Sequence, residues 1–116
     1  MPSHELLTSN ATTICTTLND IVHIKSEILK TPQPLQNCRD AWRERLSHLR
    51  TVTDSAHLSL TALAMEIDLQ PEPHAVIAKK ESWTLWLLQK QAMDTTEKRM
   101  KEVEALFWKD EIKGKL

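Results

Sequence analysis

The stretch "AWRERLSHLRTVTDSAHLSLTALAMEI", residues 41–67, brings back an apolar side chain at Trp42, Leu46, Leu49, Ala56, Leu60, Leu63 and Ile67. At 100° per residue these positions stay within about 100° of arc, the stripe that an amphipathic helix turns toward one core. A half-buried strand would alternate with period two, and neither this stretch nor the other long segments sustain such alternation. No Asn-Gly or Asp-Gly turn occurs, and the only glycine is Gly114. A sheet has neither its pattern nor its hairpins here, so the fold class read from the sequence is all-α.

Proline marks where the helices end. Four of the five prolines fall in "TPQP" (31–34) and "QPEP" (70–73). Proline removes a helical donor and turns the preceding residue away from helical angles. The chain therefore divides into helices over about 4–30, 34–68 and 73–112, in a single domain spanning 1–116. The first carries Leu7, Ala11, Ile14, Leu18, Ile21 and Ile28 at spacings of three, four and seven, widened by Cys15 and Val22 and broken by Lys25. Its threonines have modest helix propensity, so packing has to hold it. The third carries Trp86, Met93, Met100 and Phe107 at seven-residue intervals, with Thr96 and Val103 between them; Gln89, Thr96 and Arg99 weaken that seam. Short connections make long helices antiparallel neighbours, which predicts an up-down-up antiparallel three-helix bundle with a long third helix.

The three helices would be roughly 40, 50 and 60 Å long at 1.5 Å per residue. An unbroken third helix is expected to project past the first and to carry "EALFWKDEI" (104–112) with it. Phe107 and Trp108 on such an overhang would stand in water unless a partner covered them. Near the start of the same helix, "ESWTLWLLQK" (81–90) spreads Trp83, Leu85, Trp86, Leu87 and Leu88 around most of the circumference. Contact with two neighbouring helices accounts for a wide apolar face, and the remainder points outward. The candidate partner-binding residues are Trp83, Leu88, Phe107 and Trp108, set against a second copy or another protein, because tryptophan is enriched in interface hot spots.

Chemistry is sparsely signalled. Without a glycine before residue 114 there is no phosphate-cradling loop, dinucleotide fingerprint or nucleophile elbow. Asp20, His23 and Glu27 share one helix face, but no second ligand pair repeats that spacing as a dimetal bundle would require, so they read as a solvated polar face. Ser47, His48 and Asp54 or His57 lie on one regular helix, which cannot aim a nucleophile and its base at a common pocket. The expectation is a non-enzymatic protein with no catalytic residue, cofactor or metal.

Cys15 and Cys38 form no Cys-x-x-Cys pair and read as buried free thiols, as in a reducing compartment. No run approaches the ~18 apolar residues of a membrane span, and "MPSHELLTSN" lacks a basic region followed by an apolar one. The expected location is intracellular, cytoplasmic or nuclear, with no membrane partner; the Asn10-Ala11-Thr12 sequon is then a chance match. Charged residues make up 27% of the chain and the formal net charge is −1, so bulk charge selects no partner.

Local charge supports an alternative. "NCRDAWRERLSHLR" (37–50) brings Arg39, Arg43 and Arg50 within about 40° of one another on a helix, with Lys79 and Lys80 as a second basic spot. Such a row could follow a phosphate backbone for about 16 Å, or it could be a solvated face neutralised by nearby acids such as Asp40 and Glu44. With its first helix, a long second helix carrying "CRDAWRERLSHLR", and a proline break before "PHAVIAKK", the chain resembles the small helical RNA-silencing suppressors of nodaviruses over roughly residues 5–80. That resemblance implies a dimer binding one face of double-stranded RNA, with Arg39, Arg43 and Arg50 as phosphate contacts. The tryptophan-rich third helix departs from it, as do Asp54, Glu66 and Asp68, which would repel RNA where that family is basic.

Overall fold

The computed structural model describes residues 2–69 and 76–115, with 2–4, 76–79, 110 and 113–115 described by their backbone alone. Three helices make up the fold: α1 Pro2–Lys30, α2 Gln36–Asp68 and α3 Val76–Lys115. The sequence placed the first two boundaries within a turn; the expected start of the third helix, at Pro73, lies outside the described residues. At the end of α1 the Thr31 amide still bonds the Ile28 carbonyl at 3.3 Å before Pro32 breaks the ladder. Leu35 is extended (φ −69°, ψ 156°) as α2 begins.

Cross-helix hydrogen bonds fix the direction of each helix. Trp42 Nε1 donates to Glu27 and Asn10 Nδ2 to the Ala56 carbonyl, so α2 runs back along α1. Trp86 Nε1 donates to the Leu60 carbonyl at 2.7 Å and Arg50 reaches Glu97, so α3 runs back along α2. Each helix packs on both others in an up-down-up bundle 63 Å long and about 19 Å across.

The buried positions follow a three-four alternation along all three helices. They are 7, 10, 14, 17, 21, 24 and 28 on α1, and 42, 46, 49, 53, 56, 60, 63 and 67 on α2. On α3 they are 82, 89, 93, 96, 100, 103, 107 and 111, with half-buried Trp86 between the first two. A repeat of 3.5 residues keeps each seam facing its partners only if the helices wind slowly about one another in a left-handed sense. The wider stripe read for α1 needs correcting. Its inner edge is Asn10, Thr17 and Ile24, while Cys15 and Val22 are exposed and Cys38 is half-buried, so neither thiol is a buried core group.

Threonine divides the core in two. One cluster holds Ile21, Ile24, Ile28, Trp42, Leu46, Leu49, Met100, Val103 and Phe107. The other holds Leu7, Ile14, Ala56, Leu60, Leu63, Ile67 and Met93. Between them along each helix sit Thr17, Thr53 and Thr96, all buried, each hydroxyl donating at 2.7 Å to the carbonyl four residues earlier in its own helix. Their methyl groups complete the layer, and the hydroxyls need no partner from another helix.

The expected overhang does not expose Phe107, whose ring is 2% exposed. Ile28 and Trp42 lie in its cluster, and the Arg43 guanidinium stands 6.0 Å from its centroid. The first turns of α2 run beside this end of α3 and cover a surface that α1 alone would have left bare. At the other end Gln89 bonds the Leu7 carbonyl, so the turns of α3 before about Ser82 extend beyond the start of α1.

Candidate docking surface

The residues read from the sequence as a partner site occupy separate places. Trp83 is half-buried, edge-on to Trp86 (centroids 5.5 Å apart, planes at 81°), and packs with it on the Leu60–Leu63 cluster. Leu88 is 58% exposed, about 140° around α3 from Trp83. Phe107 belongs to the core, and its burial removes it from any partner surface. Trp108 is half-exposed, edge-on to Phe107 at 5.3 Å, and about 37 Å along α3 from Trp83.

Two arginines of the row, Arg43 and Arg50, are committed to carboxylates. Arg50 is three-quarters buried between α2 and α3; it contacts Glu97 at 2.7 Å, Asp54 at 3.3 Å, and Glu104 through two of its nitrogens. The Glu104 hydrogen bonds are the main reason its guanidinium is held still more firmly protonated, against the opposing cost of burial. Arg43 lies 3.0 Å from Asp40 and 3.0 Å from buried Glu111, a close charge contact outside hydrogen-bond alignment in the second case. Arg39 is half-buried, Lys80 is exposed, and the Lys79 side chain lies outside the described residues.

On α1, Glu27 accepts from both Arg45 (2.7 Å) and Trp42 (3.1 Å), which removes it from the face it shares with Asp20 and His23. Among the described residues no three His, Cys, Asp or Glu side chains converge as metal ligands. On the α1–α3 side, Glu102 bonds Arg99 and lies 3.7 Å from Lys25; the Arg99 hydrogen bond is the first cause of its carboxyl titrating below the ordinary range. No helix among the described residues is long and apolar enough to cross a membrane.

The α1–α2 side, at the Leu7 end of the bundle, is different in kind. From Leu6 to Asn19 the chain has no Asp, Glu, Lys or Arg, and from Ser55 to Met65 it has none either. Between these two segments runs an open groove of about 500 Å³. Leu6, Ser9 and Thr13 line it from α1, and Ser55, Ser59 and Ala62 from α2, with Glu66 at one end. Small residues keep the walls low, and Ala56 and Leu63 form the apolar floor. Thr13 and Thr51 in its walls turn their hydroxyls back onto the carbonyls of Ser9 (3.2 Å) and Ser47 (3.1 Å). Covering them therefore costs little polar desolvation.

Beside the groove, Leu58, Met65 and Leu69 project from the outer side of α2, 70%, 64% and 80% exposed. Their spacing of seven and four places them in one ridge. The sequence signal for this surface was an absence, two charge-free segments in a chain that is 27% charged, and it becomes visible only when the fold sets the segments side by side. Comparison of the chain with protein-family models, with curated proteins and with solved structures returns no match.

Proposed function

We propose that this protein is a non-enzymatic helical interaction module that works by docking another polypeptide, or a copy of itself, on the charge-free side formed by α1 and α2. The observation that carries this reading is the pairing of a charge-depleted exposed face with an apolar-floored groove whose two threonine hydroxyls already bond backbone carbonyls. Interface cores are marked by depletion of charge more than by bulk hydrophobicity. Exposed apolar side chains at a surface mark binding sites in the same way, and Leu6 stands in the groove wall while Leu58, Met65 and Leu69 stand on the outer side of α2. The proposed surface lies away from Trp83 and Trp86 of α3, which brace the bundle. RNA binding along the arginine row would require Arg50 to leave Glu97 and Glu104, at a cost that phosphate contacts would have to offset.

The test is affinity capture of the tagged full chain from the cells that make it, comparing Ser59→Glu in the groove with Gln91→Glu on the exposed side of α3. Associated protein should disappear with the first substitution and persist with the second. Equal recovery with both variants refutes the assignment of the surface.

A further inference from the structure

We infer that the occupant of the α1–α2 groove is a second copy of this chain, with the α2 ridge of each copy seated in the groove of the other about a two-fold axis parallel to the helices. This rests on the interaction reading above and names its partner.

Three observations select the second copy. The groove carries no charged side chain except Glu66 at one end, so it offers neither an acidic nor a basic partner a complementary field; the partner's surface must be equally uncharged. This chain has such a segment in Ser55–Met65, bordered by Asp54 and Glu66. The same helix also holds both halves of a fit: large side chains at Leu58, Met65 and Leu69, and small ones at Ser55, Ser59 and Ala62 on the adjoining strip. A two-fold contact requires one patch to be self-complementary, and a ridge beside a trough satisfies that, with Leu58 and Met65 at the level of the trough and Leu69 past its Glu66 end.

The orientation follows from symmetry. A two-fold axis perpendicular to the helices would make α2 antiparallel to its mate and set ridge against ridge, leaving both troughs open. An axis along the helices exchanges left for right while keeping level, so Leu58 of one copy comes to the level of Ser55, Ser59 and Ala62 of the other. The contact face is about 27 Å of α2 by the bundle's 19 Å breadth, on the order of 500 Å² per copy. That is close to the roughly 1,000 Å² total at which specific interfaces begin, so the dimer should be weak, with a Kd on the order of 10–100 μM.

Sedimentation velocity of the purified full chain, from about 5 to 500 μM, tests this directly. The expected result is a concentration-dependent dimer whose Kd rises more than tenfold in Leu58→Glu and in Ala62→Glu but holds in Gln91→Glu. All three positions are exposed, and circular dichroism checks that each variant keeps its helices. A nitroxide at Ser47→Cys, with Cys15→Ser and Cys38→Ala, reports the orientation. The two labels should lie about 10–20 Å apart across a parallel pair and about 45 Å apart across an antiparallel one centred on Ala62.

A chain that stays monomeric throughout the range, a dimer indifferent to Leu58→Glu and Ala62→Glu, or the long label distance each overturns the inference. A monomer that still loses its captured protein on Ser59→Glu would overturn the second copy alone. Loss of both effects would remove the interaction reading with it.

Discussion

The buried amides of Asn10 and Gln89 offer the sharpest test of how this core is specified. Asn10 Nδ2 donates to Gln89 Oε1 at 3.3 Å and to the Ala56 carbonyl at 3.5 Å, while Gln89 Nε2 donates to the Leu7 carbonyl. One polar layer thus ties all three helices at one level, 8–9% exposed and flanked by Leu7, Ile14 and Met93. Replacing either residue alone by leucine strands part of the other amide. The stranded group costs about 1–3 kcal/mol and the lost hydrogen bond about 0.5–1.5 kcal/mol. A new leucine returns about 1.5–3 kcal/mol of apolar burial at most, less where its shape misfits.

Each single variant should therefore fall between neutral and about 2 kcal/mol less stable. The double variant leaves no stranded side-chain amide and gains two apolar groups, so it should exceed the wild type by about 1–3 kcal/mol. The expected coupling is at least 1 kcal/mol, measurable by urea unfolding of all four proteins with a common m-value. Additive single effects, or a double variant less stable than either single, would refute the view that these two amides act as one unit. The double variant should also lose uniqueness, since a polar layer penalises a helix that slips by one heptad. Broadened amide resonances in the double variant would report that loss.

Other consequences of the packing can be measured alongside it. Phe107→Ala should cost about 3–5 kcal/mol, whereas Trp108→Ala, one residue on but half-exposed, should cost about 1 kcal/mol; equal costs would mean that Phe107 is not the core residue. Thr53→Val and Thr96→Val each remove a buried hydroxyl whose acceptor carbonyl keeps its helical bond, so each should raise stability by about 0.5–1 kcal/mol in thermal melts, and a loss above about 1 kcal/mol would show that the hydroxyls serve one another. Arg50→Met leaves Glu97 and Glu104 facing each other without their cation and should destabilise by about 1–2 kcal/mol, after allowing for side chains that remain a quarter exposed. High salt should recover part of that loss by screening the two acids, and a loss indifferent to salt would argue against the charge account.

Much of this architecture was legible because local rules agreed with one another. Proline pairs separated three segments, and the stripe from Trp42 to Ile67 matches the buried face of α2 except for Thr53, which the apolar count passed over. The stripe on α1 was harder to read. Its true inner edge alternates isoleucine with Asn10 and Thr17, while Cys15 and Val22 look apolar enough to compete. Only the presence of α2 and α3 on particular sides decides between two overlapping seams on one helix. The candidate site was less legible still. Tryptophan and phenylalanine drew attention to α3, yet Phe107, Trp83 and Trp86 brace the bundle, and the candidate groove lies on α1 and α2, among serine, threonine and alanine.

The sequence by itself determined the number of helices, their approximate ends and the apolar repeat along each. These depend on proline geometry and on the 3.6-residue turn, both local properties of the chain. The tertiary structure decided which apolar residues are core, which arginines are spoken for, and where a partner fits. Arg50 has its carboxylates 47 and 54 residues away, the Phe107 cluster draws on all three helices, and the groove exists only where Leu6–Asn19 comes to lie beside Ser55–Met65. Burial, charge pairing and surface shape are properties of neighbours in space, and the chain acquires those neighbours only by folding.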